Sequence, residues 1–377
     1  MPIERPFKTS YNWEHLEKVL RRQTTEGPVP IIELLVDAEP MSEVTGIDFP
    51  AAKAVELFTN AGAALNDNAA LEMGLKLMDL SLAFSKAVGY DYVTMIPIVP
   101  IRKTRRTLAD DPDAKRGQRA WIEETKGIIS DRREFEEYEW PSLDQVSLLP
   151  IDYAGGQLPA GMKVMVQCDG IFEILKELMG LQQLAIASIK DPALVDDILE
   201  QLTRIMVHTV DIVAAHPATG AVFYGEDMGS SVGTLLSPKF LKNYVIPRLK
   251  LIADACHKHG KLFLLHSCGQ LEDIMEDLIG VVGIDAKHSF QDNIEPVEDY
   301  YRKYRDRVSV LGGLDMNLLS SGTTEEVKIR TRQILKACAP GGGFCVGSGN
   351  SISNYVKIEN YYAMLDETRK WNEEHGY

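Results

Sequence analysis

The sequence predicts an α/β fold built as a single (β/α)8 barrel, and three observations lead to this prediction. Short apolar runs rich in β-branched residues alternate with longer amphipathic stretches along the whole chain. The runs are bounded by Gly, Pro or charged residues and are too short for helices, which is typical of buried parallel strands. After the first run the sequence reads VDAEP over 36–40, without the Gly-rich turn that an open, doubly wound sheet usually carries there.

The chain order of these runs gives the predicted barrel strands. A helical extension is expected before the first strand. Because each run is followed by an amphipathic stretch, every strand can be joined to the next by a crossover helix. The predicted strands are Val29–Val36, Tyr92–Val99, Lys163–Gln167, Ala221–Tyr224, Lys261–His266, Val282–Ala286, Val308–Leu311 and Gly343–Val346.

Several of the intervening helices carry clear boundary signals. Ser237 followed by Pro238 reads as an N-cap and a proline at the first helical position, which opens a helix over Lys239–His259 that Gly260 ends. Three further stretches have continuous apolar faces at helical spacing. They are Leu271–Ile279, Glu325–Ala337 and Ile358–Glu374.

One segment interrupts the alternation. Residues Arg102–Asp152 follow the second predicted strand and are long and highly charged. A charged run of this kind forms either a solvated face or, as an insertion on the side of the barrel where strands lead into helices, a lid over the mouth. We expect residues 1–377 to form one barrel domain that carries this insertion.

The composition excludes several classes of partner. Among 377 residues, 40 Lys and Arg stand against 55 Asp and Glu, a formal net charge of −15 that repels nucleic acid and anionic membranes. Neither a secretory signal nor an apolar run long enough to cross a bilayer is found, and the five cysteines are too few for a disulfide scaffold. We therefore expect a cytoplasmic protein, with a homodimer left open.

Ionisable side chains collect at the ends of the predicted strands, where barrels of this kind place catalysis. His266 and Cys268 lie two apart at the end of the fifth strand, so in an extended segment their side chains point to the same side and could hold zinc. The alternative is a hydrogen-bonded histidine beside a core cysteine. Residues of the same kind at other strand ends are Glu226, Asp227, His288, Asp315, Cys345 and Asn350.

A third zinc ligand is required, and the residues leave several candidates. Cys345 is the first, although a cysteine on an apolar strand is equally often a small core residue. Glu226 and Asp227 could serve as oxygen ligands or as catalytic acid and base, or could simply bond the N-terminus of a nearby helix. His288, Asp315 and Asn350 are candidate substrate-binding residues.

Two longer stretches resemble the uroporphyrinogen decarboxylase superfamily, which includes the cobalamin-dependent methyltransferases. They read GEDMGSSVGTLLSPKFLKNYVIPRLKLIADACHKHGKLFLLHSCG and GGGFCVGSGNSISNYVKIENYYAML, and a weaker likeness begins at RRQTTEGPVPIIEL. The resemblance implies a (β/α)8 barrel, in agreement with the strand count. The decarboxylases carry an Arg-Gln-Ala-Gly-Arg stretch where this chain reads IELLV over 32–36, so the resemblance favours the methyltransferases.

The resemblance also implies a ligand set. The methyltransferases bind zinc through His-x-Cys and a later Cys, and His266 and Cys268 match the first two. Counting along the chain puts Cys345 in the third position, whereas aligning the local Gly-x-x-Ile turn puts Asn350 there, in which case a carboxylate such as Glu226 would complete the site.

These inferences together predict an enzyme, a zinc-dependent methyltransferase that moves a methyl group between a small methylated compound and a corrinoid (cobalamin) carried by a partner protein. By resemblance the donor is expected to be an O-methyl compound such as a methoxylated aromatic, with Glu226 or Asp227 orienting or protonating the leaving group. The alternatives are methyl transfer from corrinoid to a thiol or folate, a metal-free decarboxylase, and a barrel that only binds a corrinoid or tetrapyrrole.

Overall fold

The computed structural model describes residues 10–50, 68–102, 106–108, 120–122 and 127–377. Its centre is a curled parallel sheet of seven strands in the order β1-β4-β5-β8-β9-β10-β11, and two small antiparallel hairpins are numbered in the same series. The strands are β1 (Tyr92–Met95), β2 (Arg106–Leu108), β3 (Ala120–Ile122), β4 (Lys163–Asp169), β5 (Thr219–Gly225), β6 (Gly229–Ser230), β7 (Gly233–Thr234), β8 (Leu262–His266), β9 (Ala286–His288), β10 (Ser309–Leu311) and β11 (Phe344–Cys345).

The first predicted strand closes the barrel only through isolated pairings. Ile31 bridges Val346 and Val36 bridges Ile352, both in parallel. The Val346 N–H donates to the Pro30 carbonyl and the Ile32 N–H to the Val346 carbonyl, both at 2.9 Å. Next to it, the Tyr92 side-chain oxygen accepts from the Glu33 N–H at 2.6 Å, so a side chain on β1 contacts the backbone of this segment. The predicted barrel is confirmed, with this side joined by bridges.

The sixth strand was predicted at the wrong position. Val282 ends a π-helical turn, Leu278–Val282, and Gly283 follows with a left-handed φ of 78° that stops the helix. The strand that follows is β9, which begins at Ala286 and carries Lys287 and His288. The apolar residues assigned to a strand therefore belong to the end of the preceding helix.

The predicted helices are present, and the irregularity in the helix that Ser237 opens is explained by a proline. Ser237 accepts from the Phe240 N–H as an N-cap, but Leu241–Val245 widens into a π turn before the helix continues. Pro247 lacks the N–H of a regular turn there. The helices are Trp13–Leu20, Ala38–Thr45, Asn68–Val88, Arg132–Glu137, Leu149–Gly155, Ile171–Met179, Leu181–Lys190, Pro192–Ala215, Pro238–Phe240, Ile246–His257, Glu272–Asp277, Val297–Tyr304, Met316–Ser321, Thr324–Cys338 and Ile358–Glu374.

The N-terminal extension covers the end of the barrel at which the strands begin. Its helix Trp13–Leu20 starts with a bond from the Trp13 N–H to the Gly161 carbonyl at 2.8 Å, two residues before β4. The Trp13 ring fills the space beside Gly220, where an added Cβ would lie 2.3 Å from the ring. The opposite end, where the strands finish, is therefore where a site can form.

The insertion after the second barrel strand contains the antiparallel hairpin of β2 and β3 and the helices Arg132–Glu137 and Leu149–Gly155. Residues 103–105, 109–119 and 123–126 lie outside the described part of the chain, so a lid remains a prediction. Among the described helices, none combines the length and apolar character needed to cross a bilayer.

Candidate metal centre

Two neighbouring parallel strands bring the predicted ligands together. β5 and β8 pair with Gly225 opposite His266, and the Glu226 N–H continues the ladder by donating to the His266 carbonyl at 2.8 Å. The chain then turns at both strand ends, and the Cys268 N–H donates to Asp227 Oδ1 at 2.8 Å. The loop after β5 and the loop after β8 are thus fixed to each other at the mouth of the barrel.

Asp227, His266 and Cys268 form a cluster of metal-ligand type. One potential ligand atom of each residue lies within 4.8 Å of those of the other two. Among the described residues, no other group of three His, Cys, Asp or Glu side chains is arranged in this way. His266 Nε2 lies 3.4 Å from Cys268 Sγ and 3.4 Å from Asp227 Oδ1. The His266 side chain is buried, whereas that of Asp227 is 37% exposed. The cluster is therefore accessible from the mouth.

These spacings fit a tetrahedral zinc ion. With bonds of about 2.0–2.1 Å to nitrogen and oxygen and about 2.3 Å to sulfur, tetrahedral ligands lie about 3.3–3.6 Å apart. The two distances of 3.4 Å measured from His266 Nε2 agree with this spacing. Three protein ligands also leave a fourth position for substrate or water, as in catalytic zinc sites.

The charges of the cluster stabilise one another. Burial opposes a charged His266 ring, but the Cys268 sulfur and the Asp227 carboxylate outweigh it and raise the pKa of His266 to about 10. Burial alone would raise the pKa of Asp227, yet the bond with His266 holds that pKa well below its usual range. The metal-free cluster thus attracts a positive charge, which a metal ion could supply in place of the proton.

The structure does not bring Cys345 to this cluster. Cys345 lies on β11, fully buried, and burial raises the pKa of its thiol far above the ordinary value. Its surroundings match the alternative of a small core residue on an apolar strand. The residue that accompanies His266 and Cys268 is Asp227.

Asn350 lies beside the cluster as a donor to the cysteine. Its Nδ2 is 3.2 Å from Cys268 Sγ, and its Oδ1 accepts from the Ser351 N–H at 2.7 Å, which fixes the orientation of the amide. Ser289 donates a second hydrogen bond to the same sulfur at 3.4 Å. Ser289 has a φ of 89°, unfavourable for a residue with a side chain, so the chain holds it there at a cost.

The Glu226 carboxylate is not part of the cluster. It is fully buried, and its Oε1 accepts from the Phe172 N–H at 2.9 Å while Oε2 lies 3.5 Å from the Glu173 N–H. These donors belong to the N-terminus of helix Ile171–Met179. Burial, opposed by these bonds, raises the pKa of Glu226 to about 8. Its contacts match the alternative of a carboxylate bound to a helix terminus.

Two candidate substrate-binding residues have their polar atoms committed within the protein. Asp315 caps helix Met316–Ser321, with Oδ1 accepting from the Asn317 N–H at 2.7 Å and Oδ2 from the Asp292 N–H at 3.1 Å. His288 is fully buried and lies between the His266 ring and the Ser348 carbonyl. Burial, with the His266 ring beside it, lowers the pKa of His288 well below its ordinary value.

Several residues that hold the cluster were not predicted from the sequence. Lys176 donates to the Asp227 carbonyl at 2.9 Å and pairs with Glu173 at 2.6 Å, which ties the β5 loop to the helix Ile171–Met179. Ser289 follows His288 directly, but nothing in its sequence context indicates a bond to sulfur. Lys287 is buried, with its ammonium 4.3 Å from the Phe290 ring, and burial lowers the pKa of Lys287 to about 8.

Comparison with known proteins identifies one matching family. The model of the Uroporphyrinogen decarboxylase (URO-D) family matches residues 133–371, more than half of the 377-residue chain. No curated protein matches the chain.

Among solved structures, a methyltransferase from Methanosarcina mazei superposes with a TM-score of 0.71 at 15% identity, covering 96% of this chain and 99% of that chain. A likeness at this level of identity shows the shared fold. A β-L-arabinopyranosidase from Geobacillus stearothermophilus gives a TM-score of 0.39 at 12% identity over 93% of this chain and 76% of that chain, too low to support any argument.

Proposed function

The chain belongs to the uroporphyrinogen decarboxylase family, and on that premise we propose that it is a zinc-dependent methyltransferase. It would transfer a methyl group from a small O-methyl compound, of the methoxylated aromatic class, to a corrinoid carried by a separate protein. The five free cysteines suit a reducing compartment, and we therefore propose that the protein is cytoplasmic.

The observation that carries the proposal is the convergence of Asp227, His266 and Cys268 at the ends of β5 and β8. This set offers one nitrogen, one oxygen and one sulfur ligand. A thiolate-rich zinc site suits activation of a thiol, whereas a site with an oxygen ligand and an open position suits an ether or alcohol oxygen. The cluster therefore supports an O-methyl donor over a thiol acceptor.

The roles of the residues follow from their contacts. Asp227, His266 and Cys268 would hold the ion, and zinc bound there would act as a Lewis acid on the donor's oxygen. Asn350 and Ser289 donate hydrogen bonds to the Cys268 sulfur and so stabilise its negative charge.

The two carboxylates divide between the cluster and the helix behind it. The Asp227 carboxylate is the one that faces the cluster, and its low pKa keeps it ionised as a ligand. Glu226 holds the N-terminus of the helix that carries Lys176, and Lys176 in turn holds the Asp227 peptide. We assign Glu226 to positioning of the β5 loop.

The first barrel segment supports methyl transfer over decarboxylation of a porphyrinogen. Residues 32–36 replace the arginine-bearing stretch of the decarboxylases, and Ile32, Glu33 and Leu34 are all buried. A buried carboxyl group cannot bind acidic side chains of a substrate as arginine does. The segment thus lacks the groups that such a substrate requires.

Metal analysis with activity measurement tests the proposal. We expect about one zinc per chain by mass spectrometry, and methyl transfer from a methoxylated aromatic to a reduced corrinoid under anaerobic conditions. His266→Ala, Cys268→Ala and Asp227→Ala should each lose both zinc and transfer. Cys345→Ala should keep both, and loss of zinc in that variant would replace Asp227 by Cys345 as third ligand. A protein that holds no zinc after reconstitution would overturn the proposal and favour the decarboxylase or the binding barrel.

A further inference from the structure

Two buried histidine rings lie in series behind the metal cluster. His266 Nδ1 and His288 Nδ1 are 2.8 Å apart, and the other nitrogen of His288, Nε2, lies 3.1 Å from the Ser348 carbonyl oxygen. Both residues are buried, at the ends of the neighbouring strands β8 and β9. The outer nitrogen of His266, Nε2, is the one that faces Cys268 and Asp227.

The Ser348 carbonyl fixes the tautomer of His288. A carbonyl oxygen accepts and cannot donate, so the hydrogen of this bond must sit on His288 Nε2. A second proton on Nδ1 would make a fully buried cation, and among the contacts described for the His288 ring no carboxylate is hydrogen-bonded to it. Such a cation is costly to bury. His288 therefore presents a bare Nδ1 to His266.

The bare nitrogen in turn fixes the tautomer of His266. At 2.8 Å one of the two Nδ1 atoms must donate, and because that of His288 has no hydrogen, the donor is His266 Nδ1–H. In the neutral imidazole the lone pair then lies on His266 Nε2. This is the nitrogen that faces the Cys268 sulfur and the Asp227 carboxylate.

Neighbouring residues hold the His288 ring and the Ser348 peptide in place. The Glu33 carboxyl group accepts from the Ser348 N–H at 2.9 Å and is also bonded to the Ser348 hydroxyl, which fixes the peptide next to His288. Gly312 provides the space that this arrangement needs, because a Cβ there would lie 2.2 Å from the Ser348 oxygen and 3.0 Å from the His288 ring. The Phe223 ring packs edge-on against His288 at 5.5 Å between centroids.

We propose that His288 is a positioning residue that sets the tautomer of His266, so that Nε2 is the metal-binding nitrogen, and that Glu33 and Ser348 hold His288 in place. This inference rests on the proposed metal site. His288 would act on the metal ligand His266, whereas the sequence predicted that it contacts the substrate. Residues that orient a histidine ligand in this way commonly change metal affinity about 10–100-fold when removed.

Zinc affinity in matched variants is the first test, measured by competition with a chelating dye. His288→Leu removes the acceptor, and we expect affinity to fall about 10–100-fold. His288→Asn restores an acceptor near the position of Nδ1 and should recover most of that loss. His259→Leu removes a histidine paired with Asp211, outside the cluster, and should leave affinity unchanged. Equal affinity in His288→Leu and the native protein would overturn the proposal.

Long-range ¹H–¹⁵N spectra of the native, histidine-labelled protein give a readout that is independent of activity. The chain has 8 histidines, few enough to assign by substitution. We expect His288 to be neutral with its hydrogen on Nε2 in the metal-free protein, and His266 to keep its Nδ1 hydrogen when zinc binds. A His288 hydrogen on Nδ1, or zinc bound to Nδ1 of His266, would contradict the proposal.

The two tests separate this inference from the proposed function. Zinc binding without methyl transfer would leave the tautomer result intact while the methyltransferase assignment failed. Conversely, methyl transfer in a protein whose His288 carries its hydrogen on Nδ1 would retain the function and refute the positioning role.

Discussion

At the scale of single residues, Asp227 joins the two loops that form the cluster. Its Oδ1 accepts from the Cys268 N–H and also faces His266, so one carboxylate fixes the backbone of the β8 loop and would complete the proposed ligand set. The structural task needs only an acceptor oxygen, whereas metal binding also uses the negative charge. A substitution that keeps the oxygen and removes the charge separates the two.

We expect Asp227→Asn to fold normally and to bind zinc at least about 10-fold more weakly, since the amide oxygen can still accept from Cys268 while the charge is lost. Asp315→Asn is the matched control, because Asp315, like Asp227, accepts hydrogen bonds from the backbone, in its case two, but lies outside the cluster. That control should keep its zinc and lose about 1 kcal/mol of stability, because Asn caps the helix as well as Asp but has only one oxygen to accept the two bonds. Zinc titration and denaturant unfolding of both variants check the prediction, and unchanged zinc affinity in Asp227→Asn would remove Asp227 from the ligand set.

Glu33 should make the stability of the protein depend on pH. Burial, opposed by the bonds from Ser348, raises the pKa of Glu33 from 4.5 to about 8. The folded state therefore holds a proton that the unfolded chain releases near its ordinary pKa.

The sign follows from proton binding. Between pH 4.5 and about 8 the folded state binds more protons at Glu33, so its contribution to stability is complete below 4.5 and is lost as pH rises, by at most ~1.4 kcal/mol per pH unit. Glu33→Gln should flatten this part of the profile. Denaturant unfolding at a series of pH values measures it. An equally steep fall in the variant would show that another group titrates.

At the scale of secondary-structure elements, the helix Ile171–Met179 depends on a missing side chain at its start. Gly170 precedes the helix, and a Cβ there would lie 1.4 Å from Glu226 Oε2 and 2.5 Å from the Gly225 carbonyl oxygen. The glycine therefore leaves the space that the Glu226 carboxylate occupies when it binds the helix N-terminus.

Gly170→Ala should thus lower the free energy of unfolding by at least ~2 kcal/mol, because either the carboxylate or the backbone must move. It should also weaken zinc binding, since the helix carries Lys176, which holds the Asp227 peptide. Gly280→Ala, where an added Cβ meets nothing within 4 Å, is the control and should change stability by no more than ~1 kcal/mol. Equal unfolding midpoints for the two variants would contradict this account.

Some secondary-structure elements can be predicted from the sequence, and others cannot. Ile358–Glu374 was predicted with both its ends, because its apolar face repeats at helical spacing without a break. The sixth strand was misplaced, because Val282 and its neighbours are equally apolar in a buried helix end. Period alone cannot separate a short buried strand from a helix segment.

The same contrast applies to the candidate site. His266 and Cys268 lie on one strand, so a spacing of two residues brings them together without knowledge of the fold. The third member comes from the neighbouring strand, and pairing of Gly225 with His266 decides that it is Asp227 and not Cys345. The positions of Ser289 and Glu33 depend on contacts between distant parts of the chain, which no local pattern encodes.

At the scale of the whole molecule, zinc should raise the stability of the fold. A ligand that binds only the folded state at 100 times its Kd adds ~2.7 kcal/mol, so we expect the midpoint of thermal unfolding to rise by a few degrees with zinc and to return on chelation. Magnesium, which prefers oxygen ligands, should have no such effect. The same rise in a Cys268→Ala variant would show that the stabilising ion binds elsewhere.

The joining of Ile31 to Val346 and of Val36 to Ile352 has a consequence for how the protein is made. On the ribosome, residues 31–36 emerge about 300 residues before the residues with which they pair are synthesised. Until then the growing sheet has an open strand edge, the feature by which unfinished chains pair with one another. A chaperone that shields the nascent chain would therefore act up to the moment when Ile352 leaves the exit tunnel, and a message truncated before that codon would yield an aggregating product.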